Sequence, residues 1–287
     1  MTMRVSPLRQ RMIDDMAIRN MSANTQELYI RAVVGLSCFH GRSPDKLAIE
    51  DVRDYQLHLV ARGLKPSSIN MYMSGLRFFF ATTLGQETLA HKIPMARKQD
   101  PLPTVLSREE VERFLKCVKT LKMRAAFMTI YAAGLRVSEL AALTVSDIDS
   151  ARMVINVRQA KGGKDRHIML SGQLLGALRD YWRQTRPSHW LFPGADPLSP
   201  ITKRRLQLAF HEALKTSGIG KPATVHTLRH SFATHLLEQR VDIRVIQNLL
   251  GHRDIRSTTR YTRVAVETIR QVQSPLDLLN MGLAQPA

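Results

Sequence analysis

From Thr25 onward, apolar residues fall at Leu28, Ala32, Val33, Leu36 and Phe39, the spacing of one buried helix face. Val52, Tyr55, Leu59 and Val60 mark a second such face, closed by Gly63. Ser67 and Ser68 open another, with the stripe Ile69, Met73, Leu76, Phe79 and Phe80. With a first helix near residues 7–19, this predicts a four-helix unit over residues 1–90. Periodicity then fails between His91 and Ser107. Pro94, Pro101 and Pro103 lie there among Lys92, Arg97 and Lys98. Proline withholds a backbone donor and favours extended chain, so residues 91–106 are predicted to be a linker.

A second domain is expected over residues 107–287. It opens on Ser107 with Glu110 three positions later, a reciprocal helix cap. Helices follow to about Leu143. Met153–Gln159 alternates in polarity, Lys161-Gly-Gly-Lys164 turns, and Arg166–Leu170 returns, which predicts a β-hairpin. Helical patterns resume near Gln173, near Thr202, at Val225, at Asp242 and after Asp254. The predicted fold class is mainly α with a small antiparallel β-sheet.

Charge narrows the partner. The 287 residues carry a net charge of +18. The excess is shared, with 14 basic and 8 acidic side chains before residue 99 and 28 and 16 after it. Two basic domains suit one long polyanion better than a small-molecule substrate. Cys38 and Cys117 stand far apart without metal-ligand spacing, so neither a disulfide framework nor a zinc site is predicted. The longest apolar run, around Ala125 to Leu135, is too short to span a bilayer. The N-terminus lacks the apolar core of a signal peptide, and a cytoplasmic protein is expected.

The polar residues that stand out are scattered. Thr224 can cap a helix in which His226 and Arg229 share one face, at an end where backbone N–H groups already favour an anion. His226 and His230 are four apart, but no acidic residue completes a metal-binding pattern beside them. Gly134 is placed to end a helix, with Arg136 just beyond it and Glu139 within reach. Gly251 stops the apolar run Val245–Leu250, and His252 follows. Tyr261 closes the polar, basic segment Arg253–Arg263. Taken singly, each has an ordinary reading: a surface ion pair, a core histidine, a packed tyrosine. Together they are two guanidinium groups, two imidazoles and a phenol, enough to hold a phosphodiester and attack it.

These residues carry a resemblance. Gly134-Leu-Arg136-Val-Ser-Glu139-Leu140, Ala160-Lys161-Gly-Gly-Lys164-Asp-Arg166, the run from His226 through Arg229 to Leu237, Leu250-Gly251-His252 and Tyr261 resemble, in order, the motifs of the tyrosine recombinase (phage integrase) family, and its simple Xer-like members most closely. Residues 63–80 are similar to the family's N-terminal DNA-clamping domain, which is SAM-like. Ala160 stands where a glycine is common and Val225 where a proline often precedes the histidine; neither change removes a functional group.

The resemblance implies catalytic roles for Arg136, Lys161, His226, Arg229, His252 and Tyr261. Tyr261 would attack a DNA phosphate to form a 3′-phosphotyrosyl link and a free 5′-hydroxyl. Arg136 and Arg229 would hold the non-bridging oxygens, and Lys161, or less well Lys164, would protonate the leaving oxygen. His226 would be the general base, while His252 would bond the phosphate and brace the site. No cofactor and no metal are implied. The partners are double-stranded DNA, gripped by a clamp hinged at the linker, and a homotetramer at synapsis.

Candidate DNA contacts are Arg53, Arg62, Lys65, Arg77, Lys92, Arg97, Lys98, Lys203, Arg204 and Arg205. Apolar Val264, Ile269, Val272, Leu276 and Leu279 suggest a tail that docks on a neighbouring protomer or on its own domain. Integration, excision and dimer resolution all fit this set; the absence of a further N-terminal module favours a resolvase-like or transposon-borne enzyme. The competing readings are a non-enzymatic DNA-binding protein, a type IB topoisomerase-like DNA-relaxing enzyme and a metal-dependent nuclease.

Overall fold

The computed structural model describes residues 6–97, 102–160, 164–252 and 254–264. The chain divides into two compact units, Met1–Pro101 and Leu102–Ala287.

The first unit is helical: α1 (Pro7–Ile18), α2 (Ala23–His40), α3 (Ile49–Ala61), α4 (Pro66–Phe78) and a short α5 (Glu87–Lys92). The Ser6 and Ser22 hydroxyls cap α1 and α2 by accepting from Arg9 N and Thr25 N. The fourth helix starts at Pro66, one residue before the predicted serines. Proline at the first helical position costs nothing, because that N–H has no partner in any helix. A widened π turn, Phe79–Thr83, prolongs α4, and both Phe79 and Phe80 are buried. They close a core with Met12, Met16, Leu36, Val52, Leu59, Ile69, Met73 and Leu76. Three residues of the predicted stripes lie outside that core. Leu28 is only partly buried. Phe39, 42% exposed, packs on the His58 ring at 4.6 Å, and Val60 faces out.

The predicted linker is shorter than its prolines suggest. Residues through Lys92 are helical, and Ile93 is buried. The Asn70 amide then grips the backbone of Ala96 from both sides, donating to its carbonyl at 2.8 Å and accepting its N–H at 2.7 Å. Arg77, expected to face outward, is half-buried and donates from Nε to the Ile93 carbonyl at 3.1 Å. A helix-end carbonyl needs a donor, and Arg77 supplies it.

The second unit holds α6 (Arg108–Lys116), α7 (Leu121–Ala133), α8 (Val137–Ala141), the sheet strands β1 (Ile148–Asp149), β2 (Val154–Ala160) and β3 (Lys164–Met169), then α9 (Gly172–Thr185), α10 (Lys203–Thr216), α11 (Val225–Glu238), α12 (Ile243–Leu250) and α13 (Arg256–Thr259). The reciprocal cap at α6 forms as predicted: Glu110 N donates to the Ser107 hydroxyl and Ser107 N to the Glu110 carboxylate. Phe114, Phe127 and Phe210 pack at centroid distances of 4.6–5.7 Å and tie α6, α7 and α10 together.

The sheet is antiparallel in the order β1-β2-β3; β1 has two residues, too few for an alternating pattern to register. Ile155 pairs with Ile168 and Val157 with Arg166, while Asn156 and His167 bond to each other on the other face. Alternation thus sets Arg166 on the buried side, with Ile168. The helix α11 runs through the unit, its residues from Val225 to His235 mostly buried.

Candidate active site

Two glycines shape the site. Gly134 ends α7 and Gly251 ends α12, both in the left-handed region at φ 59° and 62°. A Cβ on Gly134 would also lie 2.5 Å from the Phe232 ring. Only glycine meets both demands, and its turn presents the Gly134 carbonyl to Arg229.

The last carbonyls of α12 have no partner inside the helix, and the dipole makes that end partly negative. Three arginines from three different elements converge on three successive carbonyls. Arg166 Nε donates to Leu249 O at 2.9 Å, Arg229 to Leu250 O at 2.7 Å and Arg136 to Gly251 O at 3.3 Å. Their charges would repel without a counter-ion, and Glu139 provides it. Its carboxylate accepts from Arg136 Nη1 at 2.6 Å, from the Arg136 backbone N–H at 2.9 Å and from both terminal nitrogens of Arg166 at 2.8 and 3.1 Å. Arg229 Nη1 stands 3.7 Å away. Burial alone would raise the Glu139 pKa, but the Arg166 bonds, the Arg136 N–H and the two positive charges outweigh it and bring it to about 2. The expected local Arg136–Glu139 pair is therefore one arm of a larger assembly.

Arg229 is 1% exposed and also donates to Gly134 O at 2.5 Å. Burial, with Arg136 nearby, lowers its pKa to about 10, so it stays cationic at neutral pH. His252 is bonded on both nitrogens, Nε2 to Arg229 at 3.0 Å and Nδ1 to the Thr258 hydroxyl at 2.9 Å. Arginine can only donate, so Nε2 accepts and Nδ1 carries the hydrogen. Burial and the adjacent arginines push the His252 pKa down to about 3, consistent with that neutral tautomer.

Tyr261 lies in the 3₁₀ turn Arg260–Arg263 and is 2% exposed. Burial raises its pKa, while Arg229, Arg260 and Arg136 oppose the rise. Its hydroxyl is 3.0 Å from His230 Nδ1. The group expected beside the phenol, His226, instead sets its ring at 4.5 Å, edge to face, against the His230 ring. His226 is exposed, and burial of its inner side with Arg229, Arg136 and Arg260 lowers its pKa. Arg136, Arg229, His226, His252 and Tyr261 are thus gathered in one place.

Lys161 and Lys98 lie outside the described residues. Arg53, Arg62, Lys65, Lys92 and Arg97 are exposed on the first unit, and Lys203, Arg204 and Arg205 on the first turn of α10. Of the tail positions, only Val264 is described. Among the described residues no group of three or more histidine, cysteine or acidic side chains is placed to hold a metal ion, and no helix is long and apolar enough to cross a membrane.

Sequence reasoning overlooked two site residues. Arg166 was signalled by its strand parity with Ile168. His230 was visible only as a neighbour of His226; nothing in the spacing told that Tyr261 would come to it.

The second unit thus sets a phenol among arginines and histidines on a helical scaffold with a small antiparallel sheet. Residues 104–268 match the phage integrase family, and residues 8–89 match the phage integrase N-terminal SAM-like domain. The chain is 48% identical over 277 residues to a putative integrase/recombinase, y4qK, of Sinorhizobium fredii, covering 96% of this chain and 90% of that one. It is 33% identical over 285 residues to the tyrosine recombinase XerD of Caulobacter vibrioides, covering 91% and 92%.

Among solved structures, the Tn1549 transposon integrase in complex with circular intermediate DNA aligns with TM-score 0.72 at 21% identity, covering 92% of this chain and 99% of that one. The XerH recombinase bound to its palindromic difH substrate aligns with TM-score 0.74 at 21% identity, covering 93% and 84%. These two likenesses speak to the fold. The chain belongs to the phage integrase family of site-specific tyrosine recombinases, enzymes that cut and rejoin DNA strands through a phosphotyrosyl link.

Proposed function

We propose that Tyr261 is the nucleophile of this recombinase and that Arg136, Arg229, His226 and His252 form the cradle for the scissile phosphate. The observation that carries the reading is the Tyr261 hydroxyl lying within the cluster of Arg136, Arg229 and the histidines. The phenol oxygen attacks phosphorus, the bond to the 5′ oxygen breaks, and Lys161 delivers a proton to that leaving oxygen. The link to DNA conserves the energy of the broken bond, so religation is the same step reversed. Charge gathers on the non-bridging oxygens in the transition state, where fixed guanidinium donors act most strongly; one such donor contributes roughly 3–4 kcal/mol.

Exposed Arg53, Arg62, Lys65, Lys92 and Arg97 contact backbone phosphates in this reading, with Lys203, Arg204 and Arg205. Three consecutive cations on the first turn of α10 oppose its dipole and repel one another, a cost that a bound phosphate relieves. Arg77 is left out of this set because the Ile93 carbonyl occupies it. Four protomers assemble on two duplexes at synapsis, in the cytoplasm.

The test is a nicked suicide duplex chosen from a randomised pool for binding to this chain. The native protein gives a covalent adduct that persists in EDTA. Tyr261→Phe binds the duplex within about threefold by anisotropy and yields none, tenfold rate effects corresponding to about 1.4 kcal/mol of barrier. An adduct from Tyr261→Phe refutes the nucleophile, and loss of the native adduct in EDTA revives the metal nuclease.

A further inference from the structure

Resting on Tyr261 as nucleophile, we infer that His230, rather than His226, takes the phenol proton during attack, and that the DNA phosphate itself makes His230 able to do so. The contact is direct: Nδ1 lies 3.0 Å from the hydroxyl. With its own hydrogen on Nε2, the ring accepts the phenol O–H at Nδ1. Among the described residues, His226 shares no hydrogen bond with the hydroxyl; its ring packs edge to face on the His230 ring, and it is the more exposed of the two.

The surroundings then explain when the proton moves. His230 is faced by His226 and Arg229 on its own helix, by Arg260 in the turn before Tyr261, and by His252 beyond α12. Burial and these positive or potentially positive groups hold its pKa down to about 3 in the DNA-free protein. Without DNA the phenol keeps its proton. A phosphodiester bound by Arg136 and Arg229 adds a negative charge to the same cluster and offsets the two cations. An imidazolium at His230 is then balanced rather than repelled.

The step is complete in atoms and charge. The Tyr261 oxygen bonds to phosphorus as its proton passes to His230 Nδ1. The phosphorus bond to the 5′ oxygen breaks, and that oxygen takes its proton from Lys161. Religation returns the proton from His230 to the phenol. His226, kept from sharing charge with a protonated His230 only 4.5 Å away, remains a partner for the phosphate.

A duplex with sulfur replacing the bridging 5′ oxygen tests this, since a thiolate leaves without being protonated and the rate then reports the nucleophile's proton alone. Native cleavage should rise with pH to a plateau. His230→Ala should cleave about 100-fold more slowly or worse, the scale of a lost general base, and should climb with pH without levelling off below pH 9. Added imidazole should restore part of its rate. His230→Asn keeps an acceptor near Nδ1 but cannot carry a proton, so it should behave like the alanine variant, and it serves alone if alanine unfolds the chain. His226→Ala should be slower yet keep the native profile shape. The inference is overturned if His230→Ala stays within threefold of native, if His230→Asn regains native rate and profile, or if His226→Ala is the variant that loses the plateau. An adduct formed by Tyr261→Phe on the same duplex would instead remove the nucleophile assignment beneath it.

Discussion

Glu139→Gln removes one negative charge from a nearly isosteric side chain, and its effect can be worked from the structure. The carboxylate is 8% exposed and accepts bonds from two arginines and a backbone N–H. Its pKa of about 2 lies some 2.5 units below the ordinary value of 4.5. At 1.36 kcal/mol per pKa unit this linkage amounts to about 3 kcal/mol. Removing one partner of a buried ion pair costs about 3–5 kcal/mol, in agreement.

The sign follows from a depressed folded-state pKa. The contribution is fully present above pH 4.5 and fades as pH falls toward 2. At pH 3.5 about 1 kcal/mol of it is already gone. Trp182 and Trp190 both lie in the second unit, so urea titrations followed by tryptophan fluorescence read that unit's unfolding. Native and Glu139→Gln proteins should differ by about 3 kcal/mol at pH 7 and by visibly less at pH 3.5. A difference under about 1 kcal/mol at pH 7, or one that stays constant on acidification, would refute the account of Glu139 as the counter-ion of the arginine cluster.

Arg229→Lys keeps the charge but cannot reach Gly134 O, Leu250 O and His252 together; adduct formation should fall by at least 100-fold in single-turnover cleavage, with duplex binding nearly unchanged. Gly134→Ala combines positive φ with overlap on Phe232, and should lower second-unit stability by about 1–3 kcal/mol in the same urea assay. If six of the proposed lysine and arginine contacts meet phosphates, affinity should drop about 10³-fold between 50 and 200 mM salt by anisotropy; a flat response would remove the phosphate-contact surface.

Much of this architecture was legible because it rests on local chemistry. The Ser107–Glu110 cap, the stop at Gly251 and the stripe from Ile69 to Phe80 depend on spacing within one element, and spacing is what a sequence displays. What stayed hidden depends on contacts between elements. Arg77 and Phe39 sit at positions whose local pattern is ordinary; only the return of residues 93–96 onto α4 turns Arg77 inward, and the His40, Tyr55 and His58 rings give Phe39 its surface seat. The site divides in the same way. Arg136, His226 with Arg229, His252 and Tyr261 were recognisable from motifs in four separate segments. The His230–Tyr261 bond and the meeting of Arg166 with Glu139 join positions 31 and 27 residues apart, and no periodicity encodes such a meeting.

The end of α12 has a mechanical meaning. The chain that leaves Gly251 leads, within ten residues, to the Tyr261 phenol, the nucleophile of the proposed reading. The anchors of three guanidinium groups and the tether of the phenol are therefore one continuous piece of backbone. Any displacement of that helix large enough to carry the tyrosine out of reach also unseats the cations that would steady the phosphate. Under the proposed roles, a protomer in that posture gives up nucleophile and phosphate cradle in a single movement.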